Sequence, residues 1–107
     1  MNEQIETTEY SLYENRFGGI ARLYGTKSLQ KFKNSHVVVV GLGGVGSWAA
    51  EAIARSGIGS ISLIDPDDIC VTNTNRQLPA HEGEYGKFKA DSLKDRLLKI
   101  NPELNPP

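Results

Sequence analysis

The sequence contains a single cysteine, few aromatic residues and no long hydrophobic run. Because Cys70 is the only thiol among 107 residues, no internal disulfide bond can form, which is typical of a reducing compartment. The longest uninterrupted apolar run has four residues, Val37 to Val40, and is too short to cross a membrane. The first ten residues, MNEQIETTEY, are polar and acidic, which is unlike a secretory signal peptide. We therefore expect a cytoplasmic protein without a membrane partner.

An excess of charge of one sign is also lacking. The chain carries 12 basic and 13 acidic residues, so its formal net charge is −1. This balance does not by itself indicate a nucleic-acid-binding protein, although a local basic patch can exist within it. The histidines and the cysteine do not have zinc-ligand spacing, and we expect no metal site built from this segment alone. The remaining composition, 38% hydrophobic and 23% charged, predicts a globular fold.

The most informative feature is a glycine-rich segment that follows the valine run. Residues 36–47 read HVVVVGLGGVGS, so a G-x-G-x-x-G pattern falls on Gly41, Gly43 and Gly46, with Gly44 inside it. The pattern predicts a buried strand that enters a tight turn at a helix N-terminus. Such a turn offers backbone N–H groups and the positive end of a helix dipole to a phosphate group. The alternative is the same turn without a ligand.

The surrounding pattern predicts an α/β protein with a Rossmann-like, mostly parallel sheet. A strand–helix–strand unit of this length implies parallel pairing, with the ligand at the carboxyl ends of the strands. Residues 1–9 are predicted to be flexible, and residues 10–33 to carry helical stretches that break at Gly18-Gly19 and at Gly25. The elements predicted after that are a helix 27–33, a strand 36–40, a helix 44–56, a strand 60–64, a polar loop 65–79 and a helix 86–100.

Helical spacing also predicts which side chains face the core. Phe88 is assigned to the apolar face of the last helix, and Cys70 is predicted to be a small buried residue. The stripe predicted to pack on the sheet from the first helix of the unit consists of Val45, Trp48, Ala49, Ala52 and Ile53.

Acidic residues follow the second predicted strand. Asp65 lies 24 positions after Gly41, where a carboxylate can accept hydrogen bonds from ribose hydroxyls. The alternative is a turn or helix-cap aspartate. Asp67 and Asp68 follow it and could hold the loop or assist a metal, but a solvated acidic turn is the simpler interpretation.

Two cations stand out further along the chain. Arg76, in the segment Asn73-Thr74-Asn75-Arg76-Gln77, could bind phosphate oxygens bidentately, and Asn73 could hold a ribose or phosphate oxygen. Without a ligand the segment would be an ordinary polar loop. Lys89 falls in the first turn of the last helix, where the helix dipole disfavours a cation. That position makes sense if an anion lies nearby; otherwise Lys89 is a solvated lysine.

These motifs together resemble the ThiF/MoeB/ubiquitin-activating-enzyme superfamily over roughly residues 14–103. The resemblance implies ATP binding and adenylation of a carboxylate, with Asp65 at the ribose and Asn73, Arg76, Gln77 and Lys89 around the triphosphate. It also implies Mg²⁺, whose aspartate ligand would lie beyond Pro107. The cofactor-binding residues that we predict are Gly41, Gly43, Gly44, Gly46, Asp65, Asp67, Asn73, Arg76, Gln77 and Lys89.

The resemblance also implies a homodimer, in which an N-terminal arginine would reach the partner's ATP. Gly19 stands at the matching position of this sequence, so Arg16 or Arg22 would have to substitute. We favour Arg22, one helical turn further on. Catalytic roles are therefore expected for Arg76, Lys89 and Arg22.

Within the superfamily, residues 16–25, 46–52 and 70–77 are similar to the tRNA threonylcarbamoyladenosine dehydratases. That resemblance implies a tRNA substrate and ATP-dependent cyclisation of N6-threonylcarbamoyladenosine without an enzyme cysteine. One alternative is adenylation of a ubiquitin-like sulfur carrier, with a sulfur-acceptor or desulfurase partner. A second is an NAD-dependent dehydrogenase, which shares the glycine turn but does not explain residues 73–77 or Lys89. A third is a non-catalytic nucleotide-binding module.

Residues 10–107 are expected to form the N-terminal, truncated part of a ThiF-type ATP-binding domain. The strands at 37–40 and 60–64 would need further sheet and helix cover on both faces to be stable. We therefore expect the segment alone to be inactive and poorly stable.

Overall fold

The computed structural model describes residues 12–105, which form an α/β unit built on a parallel pair of strands. The flexible segment predicted for residues 1–9 lies outside the described residues. Within residues 12–105, no helix is long and apolar enough to cross a membrane. The elements in chain order are α1 (Tyr13–Tyr24), α2 (Thr26–Lys33), β1 (His36–Val40), α3 (Gly46–Arg55), β2 (Ser60–Ile64), a 3₁₀ turn (Val71–Asn73) and α4 (Lys89–Ile100).

The strands pair in parallel, as the strand–helix–strand pattern predicts. The register places His36 opposite Ser60 and Val40 opposite Ile64. One more bond continues the ladder past the strand end, from the Gly41 N–H to the Ile64 carbonyl at 2.8 Å. Because α3 connects two parallel strands, the carboxyl ends of both strands lie at the same edge of the sheet. The residues that follow β1 and β2 therefore lie side by side.

The main core lies between the strand pair and the helices α3 and α4. Its fully buried side chains are aliphatic or small, so the elements approach closely. Leu104, which follows α4, closes the core, and the adjacent Asn105 donates its N–H to the Gly59 carbonyl at 2.9 Å. The buried members of this core are Val39, Leu42, Ala50, Ala54, Ile61, Leu78, Leu93, Leu97 and Leu104.

The predicted core face of α3 is wrong except at Ile53, which packs against the main core. Val45 is 84% exposed and Trp48 is 54% exposed, whereas Ser47, Ala50 and Ala54 are buried. Both sets of residues have helical spacing, so periodicity alone cannot separate them. The small side chains are buried because they allow the helix backbone to pack close to the strands. Val45 and Trp48 are left on the outer face.

Phe88 and Cys70 also differ from their predicted burial. Phe88 is 58% exposed because α4 begins only at Lys89, which leaves Phe88 in extended backbone outside the helical repeat. Cys70 is exposed, in the loop just before the 3₁₀ turn, where its N–H donates to Asn73 Oδ1 at 2.9 Å.

The first two helices form a second, smaller core. α1 continues through Gly18 and Gly19, so the predicted break there is wrong, whereas Gly25 (φ 96°) does separate α1 from α2. The anchor of α1 is Tyr13, whose hydroxyl donates to the Gly57 carbonyl at 2.5 Å.

This buried phenol gives a testable prediction. Tyr13→Phe should lower the free energy of unfolding by about 1–2 kcal/mol, because the Gly57 carbonyl loses its donor. The matched control is Tyr24→Phe, on the same helix but 65% exposed, which should have little effect. Both are measured by denaturant unfolding.

The pH dependence checks the same contact. Burial, reinforced by Glu14 and Glu103, raises the pKa of Tyr13 above its usual value of 10.0. The neutral phenol therefore contributes its full stabilisation below about pH 10, and the contribution is lost as the pH rises towards the folded-state pKa. The wild-type stability should fall in this alkaline range more steeply than that of Tyr13→Phe. Identical profiles for the two proteins would contradict the assignment.

Candidate nucleotide-binding site

The turn between β1 and α3 is shaped by the absence of side chains. Gly41 has a positive φ of 90°, which favours glycine, and it ends the strand. At Gly46 an added Cβ would lie 1.8 Å from the Gly41 carbonyl oxygen, so no larger residue fits. The first and third glycines of the motif therefore contact each other and bring the helix start directly over the strand end.

A buried serine fixes the turn from inside. The Ser47 hydroxyl donates to the Gly43 carbonyl at 2.6 Å and accepts the Leu78 N–H at 3.1 Å. Sequence reasoning did not single out Ser47. A signal existed, since a small hydroxyl residue directly after the glycine motif can bond back to the turn.

The turn presents unpaired backbone donors. Across residues 12–105, no acceptor is present for the N–H groups of Gly43, Gly44, Val45 and Gly46. Unpaired N–H groups at a helix start, together with the helix dipole, make a site for an anion. This geometry can hold phosphate oxygens without any side chain.

Asp65 joins the end of β2 to this turn. Its Oδ2 accepts the Leu42 N–H at 2.7 Å and its Oδ1 accepts the Asp67 N–H at 2.8 Å. Burial would raise the pKa of Asp65, but these two N–H groups and the charge of Lys89 hold it below its usual value. The carboxylate is thus ionised at neutral pH. Each oxygen keeps a second lone pair that can accept a hydroxyl hydrogen.

Lys89 is the buried cation of the site. It is the first residue of α4 and is only 7% exposed, and its N–H donates to the Asp67 carbonyl at 3.0 Å. Within the described part of the chain its ammonium has no hydrogen bond and no carboxylate within 4.0 Å. An unpaired ammonium at a helix N-terminus is unfavourable unless an anion is close, and the anion predicted beside Lys89 stays a prediction.

The loop after β2 brings Arg76 to the same place. Its side chain passes over Gly44, with Cγ 3.5 Å from the position of a Cβ there. The guanidinium is held by the Thr72 carbonyl at 3.2 Å and by Asn75 Oδ1 at 3.0 Å. The exposed Trp48 contributes by donating its indole N–H to the Arg76 carbonyl at 2.9 Å.

The side-chain amides of Asn73 and Gln77 differ in which atom is left free of a hydrogen-bond partner. Asn73 uses its Oδ1 to accept the Cys70 N–H, so its amide nitrogen is the atom left for the predicted ligand contact. Gln77 is 7% exposed, and its Oε1 is the one buried side-chain polar atom of residues 12–105 that has no partner. Its Nε2 lies 3.8 Å from the position of a Cβ on Gly43. A buried, unpaired acceptor beside the turn fits a ligand donor.

Arg22 is not brought to this site. It lies on α1, which packs through Tyr13 and Phe17 against Gly57, beyond the far end of α3 from the glycine turn. Its guanidinium lies beside Gly19 of its own helix. The prediction that Arg22 acts across a dimer stays a prediction.

Comparison with known proteins agrees with this geometry. The ThiF family profile matches residues 17–106. The tRNA threonylcarbamoyladenosine dehydratase of Escherichia coli is 60% identical over 91 residues, which cover 85% of this chain and 34% of that protein. The Haemophilus influenzae enzyme of the same name is 59% identical, with 85% and 35% covered. The chain thus spans about a third of the length of these curated relatives.

Solved structures give the same result. The crystal structure of the Escherichia coli dehydratase, TcdA, in complex with ATP superposes with a TM-score of 0.86 at 59% identity, covering 87% of this chain and 38% of that one. A complex of the same protein with AMP has an equal TM-score of 0.86. A more distant structure, Escherichia coli MccB, has a TM-score of 0.70 at 44% identity, covering 73% of this chain and 22% of that one.

Two glycine substitutions separate packing from ligand space. Gly46→Ala should lower the free energy of unfolding by at least about 2 kcal/mol, because its Cβ would overlap the Gly41 carbonyl. Gly44→Ala should change it by less than about 1 kcal/mol, because a Cβ there makes only ordinary contacts with Arg76. Denaturant unfolding measures both. Equal losses for the two variants would contradict this account of the turn.

Proposed function

The chain belongs to the ThiF family, and from that premise we propose that it forms the nucleotide-binding part of an ATP-dependent tRNA threonylcarbamoyladenosine dehydratase. The proposed reaction is adenylation of the carboxylate of N6-threonylcarbamoyladenosine in tRNA, followed by ring closure. The enzyme is proposed to act in the cytoplasm. Its fold is Rossmann-like, as in the solved relatives.

The observation that carries the proposal is the meeting of unpaired N–H groups and two cations at the strand ends. The turn from Gly43 to Gly46 supplies the N–H groups, the largely buried side chain of Lys89 supplies an unpaired ammonium, and Arg76 supplies a guanidinium. A triphosphate carries more negative charge than the pyrophosphate of NAD, so two cations suit ATP better. Asp65, which follows β2, is proposed to accept hydrogen bonds from the ribose hydroxyls.

The chemistry asks the protein mainly for placement and charge neutralisation. A carboxylate oxygen of the substrate attacks the α-phosphorus of ATP, and the bond to pyrophosphate breaks. A nitrogen of the substrate's own carbamoyl group then attacks the activated carbonyl carbon, AMP leaves, and the nitrogen loses a proton. In this scheme the turn N–H groups hold phosphate oxygens, while Lys89 and Arg76 neutralise the charge that builds up during the first step. Asn73 and Gln77 supply further polar contacts.

The residues present do not form a magnesium site of their own. Residues 12–105 contain no group of three or more His, Cys, Asp or Glu side chains that could hold a metal ion. Asp65 already accepts two backbone N–H groups, and Asp67 is exposed.

The cations of the site can be tested by nucleotide binding. In the full-length protein, Arg76→Ala should weaken ATP binding by about 1.5–3 kcal/mol through loss of charge-assisted hydrogen bonds. Lys89→Met should also weaken it, while keeping the aliphatic packing of the buried side chain. The matched control is Lys87→Met, because Lys87 is an exposed neighbour paired with Glu84 at 2.9 Å. Calorimetry with ATP and NAD reads the result. Tight NAD binding without ATP binding would contradict the proposal.

The substrate can be tested in cells. A strain without the gene and without any paralogue should lose the cyclic nucleoside from its tRNA and regain it with the wild-type gene, but far less with the Arg76→Ala gene. Nucleoside mass spectrometry makes the measurement. If the cyclic nucleoside persists at the wild-type level in the deletion strain, the substrate is wrong. Adenylation of a sulfur-carrier C-terminus, with a sulfur-acceptor or desulfurase partner, would then be the leading function.

We further propose a homodimer in which Arg22 reaches the partner's nucleotide, since Arg22 is exposed and distant from the turn of its own chain. Mixed dimers of an Arg22→Ala subunit and an Arg76→Ala subunit should keep one intact site, and hence about half of the wild-type activity. Full activity of the Arg22→Ala homodimer would remove this role.

A further inference from the structure

Four cations from three helices meet around one surface cavity. They come from positions far apart in the sequence, and the chain as a whole is not basic, with a net charge of −1. The cavity has a volume of about 440 Å³. We name it the basic cavity; its lining residues are Arg16, Phe17, Arg55, Arg96, Lys99 and Ile100.

A single carboxylate organises two of these cations. Glu51, whose side chain is only 14% exposed, accepts hydrogen bonds from Arg55 Nε at 3.0 Å and from Arg96 Nη2 at 3.1 Å. Arg96 Nε donates to the second oxygen of Glu51. The guanidinium groups remain partly exposed, at 58% for Arg55 and 44% for Arg96. One negative charge thus fixes the orientation of two positive ones and leaves the cavity with a surplus of positive charge.

The basic cavity and the nucleotide site lie at opposite ends of α3 and α4. Arg55 ends α3 and Lys99 lies in the last turn of α4, whereas the glycine turn and Lys89 lie at the opposite ends of the same helices. At a rise of about 1.5 Å per residue, the two ends of α3 are about 14 Å apart. The helix dipoles favour cations at these C-terminal ends, so the cluster can form without a ligand. A ligand held here would touch the enzyme well away from the reacting atoms.

The chemistry of the cavity favours a polyanion over a single small anion. Several exposed Lys and Arg side chains around an open surface suit successive phosphates of a nucleic-acid backbone, which such side chains position without reading sequence. We propose that the basic cavity binds the phosphate backbone of the substrate RNA, at a stretch away from the modified nucleoside. This proposal rests on the proposed tRNA substrate. The basic cavity would be the local basic surface for RNA in a chain whose net charge is only −1.

The test uses the full-length protein and variants with substitutions in the basic cavity. The double variant Arg55→Gln/Lys99→Gln removes two cations and leaves Arg96 paired with Glu51. The matched control is Lys94→Gln, an exposed lysine of α4 that lines a different, apolar cavity. Affinity for tRNA is measured by filter binding over a range of salt concentrations. Thermal unfolding and ATP calorimetry check that the fold and the nucleotide site are intact.

Each neutralised cation should lower tRNA affinity about fivefold at roughly 0.15 M salt, so the double variant should lose affinity about twenty-five-fold. The slope of log affinity against log salt should fall by about two in magnitude. KM for tRNA should rise while kcat and ATP affinity stay unchanged, and Lys94→Gln should behave like wild type.

Wild-type tRNA affinity and salt slope in the double variant would overturn the proposal, as would an equal loss in Lys94→Gln. Either result would leave the proposed function standing if the wild-type enzyme cyclises its tRNA. A wild-type protein that neither binds nor converts tRNA would remove the proposed function and this surface together.

Discussion

The architecture of the site depends on one close contact, between Gly46 and the carbonyl of Gly41. A Cβ at position 46 would lie 1.8 Å from that oxygen, so α3 starts closer to the end of β1 than any side chain would allow. This contact points the first N–H groups of α3 into the turn and leaves them without acceptors within the described residues. Burial of Ser47 and the small residues Ala50 and Ala54 follows from the same closeness. The glycine requirement is therefore a packing requirement first and a ligand requirement second.

The second determinant of the site is an electrostatic arrangement that a protein without an anion would not favour. Lys89 is buried at the positive end of a helix, and its charge interacts with that of Asp65, which itself accepts two backbone N–H groups. Arg76, whose aliphatic carbons pass over Gly44, adds a second positive charge. A bound polyphosphate would accept hydrogen bonds from the turn N–H groups and neutralise the charges of Lys89 and Arg76. This is the physical link between a Rossmann-like fold and the adenylation chemistry proposed for it.

Much of this arrangement could be predicted from the sequence, because local rules and the fold agree there. The β-branched run and the glycines predict the bounds of β1 and β2 and their parallel pairing. The separation of 24 residues between Gly41 and Asp65 predicts that Asp65 lies beside the turn. The anomalous placement of Lys89 was also visible, since dipole arguments need only a helix start.

The wrong predictions concern burial and helix continuity, which depend on tertiary packing rather than on local sequence. Val45 and Trp48 have the spacing of a core stripe but lie outside it, because the shorter Ser47 and Ala50 fit the close approach to the sheet. Gly18 and Gly19 do not break α1, because tertiary contacts of its first turns outweigh the low helix propensity of glycine. The basic cavity and the unpaired Gln77 Oε1 could not be found from the sequence, because each is made by residues that only the fold brings together.

The central claim is that the turn N–H groups and Lys89 hold the phosphates of ATP. The most direct measurement is an amide ¹H–¹⁵N NMR titration of the full-length protein with a non-hydrolysable ATP analogue. The account predicts the largest shift changes at Gly43, Gly44 and Gly46, with a smaller change at Lys89 and none at Tyr13. Unchanged signals from the turn, with shifts concentrated at Arg55 and Lys99, would contradict it.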